Sequence, residues 1–185
     1  MDEFNRYLAE AIRVRRSIQV YRELFDSEES VNVLSSKSLE VSVIIKRALH
    51  DEILLSLARL FDSQGYNNNK ELLEYLSQRN LVLQHQDLLD DKLRGLRDKT
   101  SKIWRHISVK DYRNMKLAHN DKTTLFTGTT PIRHNVSFDS ATELVDTSVK
   151  LILGLMVKSG QCSVKVNLNE VYESEGLKFI EAIKI

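Results

Sequence analysis

Leu39-Glu-Val-Ser-Val-Ile-Ile-Lys-Arg-Ala-Leu-His-Asp-Glu-Ile-Leu-Leu-Ser-Leu-Ala-Arg-Leu-Phe61 contains neither glycine nor proline and stays apolar for roughly six helical turns. Val41, Val43, Ile44, Ile45, Leu49, Ile53, Leu54, Leu55, Leu57 and Leu60 fall on most of its circumference, while Lys46, Arg47, Asp51 and Glu52 stay polar. A helix apolar nearly all round packs on more than one neighbour, so this segment predicts the centre of a helical bundle. Asp62-Ser-Gln-Gly65 and Asn67-Asn68-Asn69 then supply turn residues. Asn68, three residues before Glu71, has the form of a capping box and predicts a short helix through Leu76.

Outward from this centre, Phe4, Leu8, Ala11, Ile12, Ile18, Tyr21 and Phe25 make one stripe of an amphipathic helix over 2–26, with Arg13, Arg15, Arg16 and Arg22 on its outer face. Residues 26–38, rich in Ser, Asp and Glu, read as a connection. From about Asp87, Leu89, Leu93, Leu96, Ile103, Trp104 and Ile107 repeat at three- and four-residue steps. Ser108-Val-Lys-Asp111 has the form of a further helix start, and residues 122–138 read as a loop or short hairpin. Asp139 or Ser140, with Glu143, caps a last long helix that ends at Ser159-Gly160. Beyond it, 163–168 alternates like a strand and 177–183 suits a terminal helix. The expected fold is all-α: a helical domain over 1–158, and a small C-terminal extension over 159–185 packed on the same domain.

Composition agrees. A chain of 185 residues, 42% hydrophobic, is long enough for one packed core, and six glycines with one proline leave few turns for a sandwich or barrel. The single cysteine, Cys162, cannot close an internal disulfide, and no histidine or cysteine spacing matches a metal motif. Neither a signal peptide nor a membrane span is visible, so the expected location is the cytoplasm, away from membranes, with no cofactor. Net charge is only +1, but residues 92–122 hold ten basic side chains against three acidic ones, a surplus of seven, which leaves about −6 on the remainder. Such a concentration of cations suits a polyanion, although it also suits a solvated helix face.

Inside that basic segment lies Tyr112-Arg-Asn-Met-Lys-Leu-Ala-His-Asn120. Arginine clamps phosphate oxygens, and histidine exchanges a proton near neutrality, so Arg113 and His119 suffice in principle to cleave RNA without a metal. The base takes the 2′-OH proton, the alkoxide attacks the adjacent phosphorus, and the guanidinium stabilises the charge that accumulates on the phosphoryl oxygens. Six residues along a straight helix separate two side chains by about 9 Å and about 240°. Either the helix bends or ends near His119, or a second copy of the chain completes the cleft as an isologous dimer.

Arg113-Asn114-Met115-Lys116-Leu117-Ala118-His119 resembles the signature of the HEPN superfamily: arginine, a polar residue, and histidine after an interval of four to six. With Leu57-Ala-Arg-Leu-Phe-Asp62 on the central helix, the layout over 1–158 is similar to the abortive-infection U-type branch. The resemblance implies a compact HEPN-like bundle and a homodimeric, metal-independent ribonuclease acting in phage defence or as a toxin, sometimes with a cognate antitoxin protein. It implies catalytic roles for Arg113 and His119 with support from Asn114. Lys102, Arg105 and Lys116 are the cations expected to meet RNA. The alternative is a non-catalytic dimeric helical module that binds a protein or nucleic acid.

Other candidates have plainer readings. His106 and His134 read as exposed polar residues, His85 as part of a polar connection, and His50 as a core or interface side chain. Asp90-Asp91 complements a helix dipole, and Trp104 and Tyr112 belong to the core, though either could stack on a base.

Overall fold

The computed structural model describes residues 2–62, 65–68, 71–112, 134–161 and 174–184. The architecture is an all-α bundle. Helix α1 (Glu3–Phe25) starts at Asp2, whose side chain accepts from the Asn5 backbone N–H, and buries Phe4, Tyr7, Leu8, Ala11, Val14, Ile18 and Tyr21 as one stripe. Its outer arginines are held within the chain: Arg13 pairs with Glu10 and Glu52, Arg15 with Asp146, and Arg22 with Asp26 and Asp139.

Helix α2 (Glu28–Phe61) begins eleven residues earlier than the sequence suggested, so most of 26–38 is helix rather than connection. Ser27 accepts from the Ser30 N–H, two acids occupy the first turn, and Leu34 is buried against Leu24 and Ile180. The expected boundary survives as a break. Ser38 leaves the helical region (φ −167°, ψ 111°), and its hydroxyl accepts from the Val41 N–H at 3.3 Å, capping the helix anew. A second correction concerns the turns after that break. Leu39, Val41, Val43 and Ile44 are 52–65% exposed, and only from Ile53 does α2 enter the core with Leu54, Leu57, Ala58 and Leu60.

The short helix expected after Asn68 is replaced by an antiparallel ribbon, β1 (Tyr66–Asn68) and β2 (Glu71–Leu73), with Asn68 opposite Glu71. Asn68 is thereby a strand residue next to a two-residue connection, and asparagine serves hairpin turns as readily as helix caps. Helix α3 (Gln78–Gln84) starts instead at Ser77, and a 3₁₀ turn over Gln86–Leu88 leads to α4 (Asp91–Ile107) and α5 (Val109–Tyr112).

Helix α6 (Phe138–Lys158) is capped by Ser137, which exchanges bonds with Ser140, rather than by Asp139 or Ser140; Gly160, with φ +74°, follows its end. Helix α6 packs on α1 and α4. Gly154 lets α4 approach, since a Cβ there would lie 2.4 Å from Leu93 Cδ2. Helix α7 (Glu175–Ile183) is the terminal helix expected over 177–183 and rests on α1 and α2. Residues 163–168, read as strand-like, lie outside the described residues, as does 122–133 of the expected loop or hairpin.

Candidate functional site

Arg113, Asn114, Lys116 and His119 lie outside the described residues, so the site is built from what carries the chain into and out of this segment. The entry is α4. Asp90 caps it, accepting from the Leu93 N–H at 2.9 Å; that bond and the Lys158 ammonium 2.9 Å away hold its carboxyl below the usual range. Leu93, Thr100 and Ile107 face the core, while the cations occupy the other sides.

Several of these cations already have partners. Arg94 pairs with Asp91 at 3.2 Å, Arg97 with Asp98 at 2.8 Å, and Lys99 with Glu143 at 2.6 Å. The two expected RNA contacts on α4 are both exposed: Arg105 donates to the Ser101 carbonyl at 3.2 Å, and Lys102 has no ion-pair partner among the described residues. Part of the basic surplus is therefore a solvated, self-paired face, and part remains open to an anion.

Helix α4 stops at Ser108, the one non-glycine residue with positive φ among the described residues (φ 51°, ψ 37°). A serine there costs on the order of 1 kcal/mol relative to ordinary helical geometry. The consequence is a sharp change of direction into α5, one turn before Arg113. Ser108 closes α4 as well as preceding the next helix, so the chain turns five residues before Arg113.

The exit is held against the entry. Beyond 113–133, the Asn135 N–H donates to the Ile107 carbonyl at 3.0 Å and its side-chain amide reaches the His106 carbonyl at 3.4 Å. Both acceptors are carbonyls that the end of α4 leaves without helical partners. The His134 ring meets the Tyr112 ring edge-on, with centroids 4.7 Å apart and planes at 89°. The 21-residue segment that contains the whole motif is thus pinned at its two ends to one place on the bundle.

Two histidines with plain sequence readings converge here. His50 lies 5.3 Å from His134, ring to ring, and its Nδ1 is 3.1 Å from the Asp51 carboxylate. His134 Nδ1 accepts from the Val136 N–H at 3.2 Å, so the neutral ring carries its proton on Nε2. Tyr21, stacked on Phe138 at 4.3 Å, backs the group. His134 is half-buried rather than a freely exposed loop residue, because the returning chain presses it onto Tyr112. Its proximity to His50, 84 positions earlier, has no local sequence signal; only the tyrosine at 112 and the asparagine at 135, flanking the motif segment, hint at it.

Among the described residues, no cluster of three His, Cys, Asp or Glu side chains could hold a metal ion, and no helix is long and apolar enough to cross a membrane. The arrangement presents cations, two imidazoles and a carboxylate around the roots of an Arg-Asn…His segment. Such groups can bind an anion and exchange protons.

The family model HEPN_AbiU2, described as AbiU2, matches residues 2–166, which takes in the whole motif and runs eight residues past 158. Neither a curated protein nor a solved structure matches. An all-α bundle that turns out of a basic helix into Arg113-Asn114…His119, matched over most of its length by this model, belongs to the AbiU2 family of abortive-infection HEPN domains.

Proposed function

We propose that the protein is a metal-independent endoribonuclease acting in phage defence or as a toxin. What supports this reading is the motif itself, in a chain that belongs to the AbiU2 family. In the chain, Arg113, Asn114 and His119 come after the basic helix α4 and the short α5, and the residues that border their segment, Tyr112 and His134, meet ring to ring. His119 takes the proton of a ribose 2′-OH; the 2′-oxygen bonds to phosphorus as the bond to the 5′-oxygen breaks, and that oxygen collects a proton. Arg113 neutralises the phosphoryl oxygens, and Asn114 supports the pair. The products are a 2′,3′-cyclic phosphate and a 5′-hydroxyl. Lys102, Arg105 and Lys116 attract the RNA backbone.

The active form on this reading is a cytoplasmic homodimer, restrained where necessary by a cognate antitoxin protein. The exposed apolar turns at Leu39, Val41, Val43 and Ile44 support association, since such a patch on a monomer is costly in water. The same patch favours the second reading, a non-catalytic dimeric module that holds a protein or nucleic-acid partner.

The deciding experiment is incubation of purified protein with transfer and messenger RNA in EDTA. Cleavage that leaves cyclic phosphate ends and is lost in both Arg113→Ala and His119→Ala supports the ribonuclease. RNA left intact by the wild type, or cut equally by His119→Ala, rejects it in favour of the binding module.

A further inference from the structure

A cavity of about 430 Å³ opens between the end of α2, α3, α4 and α5, on the approach to the motif. Small-molecule sites span about 300–1,000 Å³, so its size suits a ligand of one or two rings. Its wall combines an aromatic plane with a ring of cations. Half-buried Trp104 is stacked on buried Phe61 at 5.5 Å and 30°, which fixes the indole in place. Arg79, Arg97, Arg105 and Lys110 also line the space, with Asp62 the one acid among them.

Three of the four cations have little to occupy them. Among the described residues Arg79 and Lys110 have no ion-pair partner, and the Arg105 side chain is bound only to the Ser101 carbonyl by its Nε. Val82 and Leu83 supply apolar contact. Gln78 adds an unmet need: its amide nitrogen donates to Thr100 Oγ1 at 2.7 Å, while its amide oxygen is buried with no hydrogen-bond partner. A buried acceptor without a donor is uncommon in a finished site, and here it lies in the wall of a cavity.

We propose that this cavity is a nucleotide subsite, with a base stacked on Trp104 and its phosphate held by Arg79, Arg105 and Lys110. An aromatic plane beside several guanidinium and ammonium groups matches the two halves of a nucleoside phosphate, a flat π-system and an anion. A purely acidic or purely apolar ligand would leave one half of the wall unused. Lys110 stands three residues before Arg113, so the occupant is a nucleotide of the RNA chain flanking the one that is cut. The choice of RNA over a free nucleotide rests on the ribonuclease reading.

Trp104 is the only tryptophan, so its fluorescence reports occupancy directly. The probes are a short single-stranded RNA carrying 2′-O-methyl groups throughout, which cannot be cleaved by 2′-OH attack, and AMP. Saturable quenching by the RNA is expected, weakened about tenfold or more by Arg79→Glu and by Arg105→Glu. The logarithm of affinity should fall against that of salt with a slope of about −0.7 for each cation engaged, and Arg79→Glu should make it shallower. Equal quenching by AMP keeps the subsite and names a free nucleotide as its occupant. No quenching by either probe, or quenching indifferent to both charge reversals, overturns it. Because the methylated RNA is read without turnover, the two proposals fail separately. Cleavage of unmodified RNA without a Trp104 response removes the subsite alone, and a Trp104 response without cleavage removes the ribonuclease alone.

Discussion

The hydroxyls of Tyr7 on α1 and Ser148 on α6 meet at 2.6 Å, and both residues are wholly buried. Ser148→Ala strands the phenol hydroxyl where water cannot reach it, at a cost of about 1–3 kcal/mol. Tyr7→Phe should cost less, about 1 kcal/mol, because a helical serine can turn its hydroxyl to a carbonyl of its own helix. Removing both leaves no stranded group, so the double variant should be more stable than the two single losses predict, by about 1–2 kcal/mol. Urea melts followed by circular dichroism give these values if the slope is unchanged, and for a chain of this size 1 kcal/mol moves Tm by about 2–4 °C.

The pH dependence adds a signature. Burial pushes the Tyr7 phenol well above its ordinary value, although the Ser148 bond opposes this. The folded state therefore keeps a proton that the unfolded chain begins to release near pH 10. Stability from this group is complete below about pH 10 and declines above it, at up to about 1.4 kcal/mol per pH unit, as pH rises toward the folded value. Tyr7→Phe should flatten that decline. Additive single and double losses, or an unchanged alkaline slope in Tyr7→Phe, would refute the account.

Four further outcomes are expected. His134→Ala removes an edge-on aromatic contact, costing about 0.5–1.5 kcal/mol, yet should lower the RNA cleavage rate tenfold or more at a temperature where the protein remains folded. Ser108→Val should lose about 1–3 kcal/mol in a urea melt while Ser108→Gly stays near wild type, since only the branched residue resists φ 51°. Val43→Asp with Ile44→Asp should leave Tm nearly unchanged but turn a dimer into a monomer in light scattering; a dimer that persists moves the interface elsewhere. Ser137→Ala should cost about 1 kcal/mol of thermal stability through loss of the α6 cap.

The helices were legible where one apolar stripe faced one core, as in α1, α4 and α6. The reading faltered where two explanations share a pattern. Leu39 to Ile44 are apolar because of an exposed patch rather than central burial, and periodicity does not distinguish a core face from a surface that meets another molecule. Asn68 and Glu71 fit a cap and a hairpin equally well, and only strand pairing decides between them. The Arg113-Asn114…His119 pattern, with the helical layout around it, was enough to read the family, which the match over 2–166 shows. The convergence of His50 and His134 was not readable, because it depends on a return of the chain that Asn135 fastens to the end of α4. The Trp104 cavity was hidden for a similar reason, since Arg79 and Lys110 are distant in sequence and join only when α3 settles near the end of α2.

The residues that border 113–133 on either side form one clasp on the bundle. Asn135 holds the Ile107 carbonyl and His134 meets Tyr112, so the bundle closes on itself at this point through flanking residues alone. Because Asn135 is exposed, selection can tighten or loosen this clasp there without renegotiating the core that Phe4, Leu57 and Leu151 hold together.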